Sequence, residues 1–137
     1  MNELLIAGME VAQVRIARPT HQLEAVVAFY RDALGLPELS RFANHDGYDG
    51  VVLGLPDKTY HLEFTQRRSD TPFRAPSADH LLVLFVPDGT QLSVLCERLA
   101  IQGHLPVAPE NPHWNDKSLT FEDPDGWRVV LCNTRGI

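Results

Sequence analysis

The chain has 137 residues, of which 44% are hydrophobic and 22% are charged, and its net charge at pH 7 is −6. This is the composition of a globular protein that can bury a core, with no apolar run near the roughly 18 residues of a membrane-spanning helix. The negative charge argues against nucleic acid as a partner, because phosphate neutralisation needs clustered Lys and Arg. Two cysteines, Cys96 and Cys132, are too few for a disulfide framework, so a cytoplasmic protein is expected.

The first half of the chain predicts a βαβββ module over about residues 11–66. It opens with a strand at Val11–Ala17, in which apolar residues alternate with Gln13 and Arg15. A helix follows, because apolar residues recur at the spacing of one helical face: Leu23, Val26, Val27, Tyr30 and Leu34. Three strand runs complete the module, at Glu38–Phe42, Val51–Leu55 and Lys58–Gln66, with a turn at Pro56-Asp57. Residues 44–50 are rich in turn formers and predict a loop.

The second half repeats this order over about residues 79–133, after a polar connector at 67–79. The connector begins at Arg67-Arg68, which together with Arg74 forms a small basic cluster that is predicted to be a solvated loop. Residues 80–86 predict a buried strand, and a helix with the same apolar spacing ends at Gly103. Three prolines predict an irregular course up to Trp114. The module closes on a hairpin, with strands at Lys117–Glu122 and Trp127–Asn133 around a turn at 123–126.

The two modules, the Leu34-Gly35-Leu36 helix end and the Asp123-Pro124-Asp125-Gly126 turn together resemble the glyoxalase/bleomycin-resistance/dioxygenase superfamily, whose fold is called vicinal oxygen chelate. Three further stretches resemble its YycE-like subgroup: Ala17-Arg18-Pro19-Thr20, His45-Asp46-Gly47-Tyr48-Asp49-Gly50 and Glu110-Asn111-Pro112. The resemblance implies one α+β domain over residues 1–137, with two tandem βαβββ modules that form curved sheets around a cleft and carry their helices outside. It also implies a homodimer that builds its clefts from both chains.

The resemblance places the four ligand positions of metal-using members at Arg15, Glu63, His80 and Val130. A guanidinium and a valine side chain cannot ligate a metal, and two protein ligands are fewer than a stable site needs. The sequence therefore favours no cofactor. A divalent metal is the alternative, because His61 lies on the same strand face as Glu63 and could complete a triad of His61, Glu63 and His80.

Two interpretations of Arg15 are open. It forms a partly buried ion pair with Glu63, or it holds a carboxylate or phosphate group of a ligand together with Arg128. His80 has an ordinary interpretation as a histidine bonded to a neighbouring carbonyl, and Trp114 either lines a pocket mouth or packs on a helix. The candidate ligand-binding residues are Arg15, His61, Glu63, His80, Trp114 and Arg128.

Three functions follow from these residues. The favoured one is a metal-independent pocket that binds a small molecule, as in the bleomycin-resistance branch of the superfamily. The first alternative is a lyase, isomerase or dioxygenase of the glyoxalase type, with a metal held by His61, Glu63 and His80. The second is a metal-free enzyme that uses Glu63 as its general base and Arg15 as an anion clamp. The sequence contains no nucleophile-elbow, P-loop or dinucleotide-binding motif.

Overall fold

A computed structural model describes residues 13–55, 60–69, 72–74 and 76–136 of the chain. It shows a four-stranded sheet (sheet A) formed by the first half of the chain and a three-stranded sheet (sheet B) formed by the second half. This confirms the predicted α+β class and the order of the two modules. The predicted turn at Pro56-Asp57 lies outside the described residues, as do the first two residues of the first predicted strand.

Sheet A has the strand order β1-β4-β3-β2, in which β1 is parallel to β4 and the other pairs are antiparallel. Its strands are β1 (Val14–Pro19), β2 (Glu38–His45), β3 (Tyr48–Gly54) and β4 (Tyr60–Arg67). Helix α1 (Leu23–Val27) follows β1 and continues directly into a π-helical segment, Ala28–Ala33. The chain leaves this helix through Gly35, whose φ of 81° is the left-handed conformation that glycine adopts most readily.

The prediction of a loop at residues 44–50 was wrong, because β2 and β3 run through most of this stretch. The connection between them is only Asp46-Gly47, whose φ angles are 52° and 88°. Two successive residues with positive φ are typical of the tight turns that join paired strands. The turn formers in this stretch therefore mark a hairpin between two extended strands.

Sheet B has the strand order β5-β7-β6. Its strands are β5 (Leu81–Phe85), β6 (Ser118–Glu122) and β7 (Arg128–Cys132); helix α2 (Gly89–Ile101) follows β5, and a short 3₁₀ helix spans Pro112–Asn115. The place of a fourth strand is taken by a single bridge between Val107 and Thr120. Three prolines, at positions 106, 109 and 112, explain the difference, since proline has no N–H to donate to a strand ladder.

One hydrophobic core joins the two modules. Helix α1 and the π-helical segment that continues it supply six of its buried residues, and α2 adds the fully buried Leu99. The same core contains one face of each sheet, represented by Leu62 and Phe64 in sheet A and by Val129 and Leu131 in sheet B. The opposite faces, which we call the open faces, are therefore turned away from the shared core. Among the described residues, no helix has the length and hydropathy that crossing a membrane requires.

Candidate functional site

The open face of sheet A carries three of the predicted site residues. On β4, Leu62 and Phe64 point into the core, so the alternation of a strand places His61 and Glu63 on the opposite face. The register of β1 pairs Arg15 with His61, which brings the guanidinium to the same face. The structure thus groups Arg15, His61 and Glu63 as the sequence predicts.

Arg15 and Glu63 form a looser contact than a buried ion pair. The Nη1 of Arg15 lies 3.9 Å from the Oε2 of Glu63, and the two side chains are 42% and 19% exposed. The guanidinium also donates a long hydrogen bond, 3.4 Å, to the side-chain oxygen of Gln13. An ion pair at this distance and exposure contributes at most about 1 kcal/mol to stability. The Arg15 guanidinium is therefore free to exchange Glu63 for another anion.

His61 has a ring nitrogen without a partner. Its Nδ1 is buried and makes no hydrogen bond to any described residue. A buried polar atom in this state costs about 1–3 kcal/mol, and a bond to a bound molecule would recover that energy. The open face of sheet A therefore offers a ligand two polar groups: the ring nitrogen of His61, and the Glu63 carboxylate two residues along the strand.

His80 does not join His61 and Glu63. Its Nδ1 lies 3.1 Å from the Oγ of Ser77, and its ring packs edge-on against Trp127 with the centroids 6.0 Å apart. It directly precedes β5, where alternation places it on the same side as Leu82, which packs against the core. The apolar run at the start of β5 gives no alternation in the sequence, which is why its facing could not be predicted.

The residues present therefore do not fit the metal site of the superfamily. His61 and Glu63 are two donors, and a guanidinium lies beside them. Over the part of the chain that the structure describes, no group of three or more His, Cys, Asp or Glu side chains is arranged to hold a metal ion. The predicted triad of His61, Glu63 and His80 is not assembled within one chain, because His80 lies on the other side of its sheet.

Arg128, on the open face of sheet B, is held by contacts within the protein. Its Nε and Nη2 both lie 3.1 Å from the Oε2 of Glu122, and its Nη1 donates to the carbonyl of Ala108 at 3.1 Å. These bonds tie the proline-rich segment to the sheet. Each nitrogen of the guanidinium thus has one protein oxygen beside it, and the expectation that Arg128 joins Arg15 in holding an anion stays a prediction.

A cavity of about 460 Å³ opens beside Trp114. Its wall includes Phe85 from β5 and the buried thiol of Cys132 from β7, and the His113 ring packs edge-on against Trp114 at 4.7 Å. The side chain of Asn111 accepts the backbone N–H of His113 at 3.0 Å and so begins the 3₁₀ helix that presents the tryptophan. The volume is within the ~300–1,000 Å³ of small-molecule pockets, and aromatic walls are typical of them.

A buried polar network was missed by the sequence reasoning. Arg18 is only 9% exposed; its Nη1 lies 3.3 Å from the hydroxyl of Tyr30, and the hydroxyl donates to the Oδ2 of Asp123 at 2.8 Å. The guanidinium also lies 4.4 Å above the Trp127 ring. The network links the end of β1 to the closing turn of the second module. Alternation along β1 could have shown which face of the strand carries Arg18, because it places this arginine on the same face as Ile16.

The electrostatics of this network are set by burial. Burial raises the pKa of the Asp123 carboxyl above its ordinary value, although hydrogen bonds from Tyr30 and from two backbone N–H groups oppose the shift. Burial, with the Asp123 charge beside it, also raises the pKa of Tyr30 well above its ordinary value. The Tyr30 hydroxyl therefore stays protonated and donates a hydrogen bond to the Asp123 carboxylate.

Comparisons with known proteins agree with this geometry. The YycE-like N-terminal domain family matches residues 14–65, and the YycE-like C-terminal domain family matches residues 79–133. The uncharacterized protein YycE of Bacillus subtilis is 44% identical over 131 residues, which cover 96% of this chain and 94% of that one. The crystal structure of a YycE protein of unknown function from Bacillus subtilis superposes with a TM-score of 0.90, at 44% identity and 96% coverage of both chains.

Two more distant structures share the fold. Glyoxalase I of Leishmania major has a TM-score of 0.68 at 20% identity, covering 90% of this chain and 87% of that one. The antibiotic-binding protein TnmS3 of Streptomyces sp. CB03234 has a TM-score of 0.65 at 22% identity, covering 90% of this chain and 97% of that one. At these identities the likeness concerns the fold alone.

Proposed function

Because the chain belongs to the YycE-like family, we propose that it is a small-molecule-binding protein of the glyoxalase/bleomycin-resistance type that works without the superfamily's metal. The observation that carries this proposal is the cavity of about 460 Å³ beside Trp114, whose wall combines two aromatic rings with a buried thiol. The residues at the metal-ligand positions also favour a protein without the metal. Arg15 and Val130 stand where the superfamily has metal donors, and neither side chain can coordinate an ion.

The proposed active unit is a homodimer. Among the described residues, no hydrogen bond or ion pair joins the Arg15–His61–Glu63 group to Arg128 or Trp114, and each open face is turned away from the shared core. The edge strand β1 exposes Val14 and Ile16 by 49% and 45%, and edge strands with free backbone groups are templates for association. In the proposed dimer, sheet A of one chain covers the open face of sheet B of its partner.

Such a pocket selects for a ring-containing ligand with one polar end. Phe85 and Trp114 provide flat apolar walls, which favour an aromatic or polycyclic molecule. His61 and Glu63 on the facing sheet provide an unpartnered ring nitrogen and a carboxylate, which favour a donor group on the ligand. TnmS3, which shares the fold, is an antibiotic-binding protein, so this fold can hold a small organic molecule. The proposed location is the cytoplasm, where thiols such as those of Cys96 and Cys132 stay reduced.

A metal-free enzyme is the second candidate. The observation in its favour is that Arg15 and Glu63 lie on one face without a tight bond between them, 3.9 Å apart. Glu63 would take a proton from a bound carbonyl compound, and Arg15 would stabilise the oxyanion that results. Turnover that disappears in both Glu63→Gln and Arg15→Gln would favour this enzyme over a binding protein.

Fluorescence tests the binding proposal, because the chain has only two tryptophans. In Trp127→Phe protein, emission comes from Trp114 alone, and a neutral aromatic probe such as phenylnaphthylamine is expected to quench it along a saturable curve. In the matched variant Trp114→Phe, the remaining tryptophan lies outside the cavity and is expected to respond weakly. Equal quenching in both variants, or quenching that never saturates, would contradict the proposed pocket.

Sedimentation tests the dimer independently. Analytical ultracentrifugation of the wild-type protein is expected to give twice the 15.4 kDa mass of the chain. Ile16→Glu places a charge on the exposed edge strand and is expected to shift the protein to monomer, whereas Ile101→Glu, at a more exposed site on α2, is not. A wild-type protein that is monomeric at high concentration would refute the shared pocket.

A further inference from the structure

We propose that the cavity at the end of sheet A, where β4 meets the start of α1, binds the phosphate group of a small phosphorylated molecule. The cavity has a volume of about 700 Å³ and is lined by His21, Asp49, Gln66, Arg67, Arg68 and Ser69. Two guanidinium groups and a histidine face one carboxylate there. The wall therefore carries a local positive charge, although the whole chain has a net charge of −6.

Arg68 is held in place by the protein before any ligand arrives. Its Nε and Nη2 lie 3.1 Å and 2.8 Å from the same carboxylate oxygen of Asp49, and its backbone N–H donates to the carbonyl of Gly47. The backbone N–H of Asn44 donates to that oxygen as well, at 2.8 Å. These bonds use one edge of the guanidinium and fix its plane, so its Nη1 can bind an anion with little loss of side-chain freedom.

Arg67 supplies the second guanidinium of the wall. Its Nε donates to the hydroxyl of Tyr48 at 3.0 Å, and its guanidinium lies 5.3 Å from the centroid of that ring. Among the described residues, no carboxylate forms an ion pair with it, in contrast to Arg68. The prediction of a solvated loop does not hold for Arg67, because it is the last residue of β4 and is positioned by the strand.

The remaining wall is rigid as well. The side-chain amide of Gln66 accepts the backbone N–H of Leu23 at 2.9 Å and donates to the carbonyl of His21 at 3.1 Å, which anchors the chain where α1 begins. The His21 ring stacks on Phe73 with the centroids 4.6 Å apart. These contacts fix the position of the imidazole beside the two arginines at the start of the connector.

A smaller cavity of about 80 Å³ adjoins the first and shares His21 and Arg67 with it. Its wall also includes the rings of Tyr48 and Phe73. An oxyanion held by the free N–H groups of the two guanidiniums would place the organic part of its molecule against these rings. We therefore expect a phosphate ester with a small flat group to bind more tightly than inorganic phosphate.

This site lies outside the pocket of the proposed function. Arg67 follows Glu63 by four residues on β4, which corresponds to about 13 Å along an extended strand. The phosphate-binding proposal therefore does not depend on the dimer or on the cavity beside Trp114.

Nuclear magnetic resonance can test the site with inorganic phosphate and phenyl phosphate as probes, at constant ionic strength. The expected result is a saturable shift of the backbone amide signals of residues 21, 49 and 66–68, with phenyl phosphate binding at least threefold more tightly. Arg67→Gln and Arg68→Gln are each expected to weaken binding about tenfold. The control Arg135→Gln removes the same charge from an exposed position outside the cavity and should leave binding unchanged.

Several results would overturn the proposal. These are shifts that stay linear up to tens of millimolar phosphate, an equal loss of binding in the Arg135 variant, and equally tight binding of succinate, which would indicate a carboxylate site. If Arg68→Gln disturbs the β2–β3 hairpin through Asp49, the spectrum will show it away from the cavity. Arg67→Gln then decides alone, because the described partner of Arg67 is the Tyr48 side chain on the neighbouring strand, and the variant leaves the bonds of Asp49 intact.

Discussion

Removing the hydroxyl of Tyr30 should destabilise the protein more than any comparable change at its surface. In Tyr30→Phe, the buried Asp123 carboxylate loses a hydrogen bond of 2.8 Å and the Arg18 guanidinium loses one of 3.3 Å. A hydrogen bond to a buried charged group contributes about 1.5–3 kcal/mol, so a loss of about 2 kcal/mol in the free energy of unfolding is expected. For a domain of this size, that corresponds to a fall of roughly 6–8 °C in Tm.

Urea denaturation provides the measurement, with Tyr60→Phe as the matched control. Tyr60 is 43% exposed, and its hydroxyl makes no hydrogen bond to the described residues, so its removal should change the free energy of unfolding by less than about 0.5 kcal/mol. The slope of the urea transition should be the same for all three proteins. If the two variants are equally stable, the network between Arg18, Tyr30 and Asp123 does not join the modules as inferred.

Three other outcomes are expected. The pKa of the Asp123 carboxyl, followed by the NMR signal of its carboxyl carbon, should lie above the ordinary value of 3.8, because burial raises it. The folded state then binds more protons than the unfolded state, so ionisation of this group lowers stability as the pH rises from 3.8 to the folded pKa. A titration midpoint below 3.8 would contradict this sign. Arg15→Ala should cost at most about 1 kcal/mol in urea denaturation, whereas about 3–5 kcal/mol would mean a buried pair with Glu63. Gly50→Ala should cost about 1–3 kcal/mol in the same assay, because its methyl group would overlap an aromatic ring of β2; Gly89→Ala, with open space around it, should cost nothing.

The sequence predicted the features that depend on local periodicity. The apolar stripe of α1 and the alternation of β4 were sufficient to place His61 and Glu63 on one face with Arg15. The contacts that the sequence did not predict join distant parts of the chain. The guanidinium of Arg128 is occupied by the carbonyl of Ala108, twenty residues away, and no local pattern reports such a bond.

The hairpin at Asp46-Gly47 shows a different limit. Turn-forming residues are common to loops and to tight strand connections, and their composition is the same in both. What distinguishes them is the length of pairing on either side, here from His45 with Tyr48 back to Glu38 with Leu53. That pairing depends on the position of β3 between β2 and β4 in the sheet. The seven residues 44–50 carry no information about those neighbouring strands.

The shared core also has a consequence for how such a protein can evolve. The network that runs from Arg18 through Tyr30 to Asp123 joins the halves on the helix side of the sheets. Neither half could be lost without leaving a charged group of the other half without its partner in this network. The open faces are under no such constraint. A substitution there, such as a metal donor by an arginine or a valine, can change what the protein binds. It leaves the shared core, and therefore the fold, unchanged.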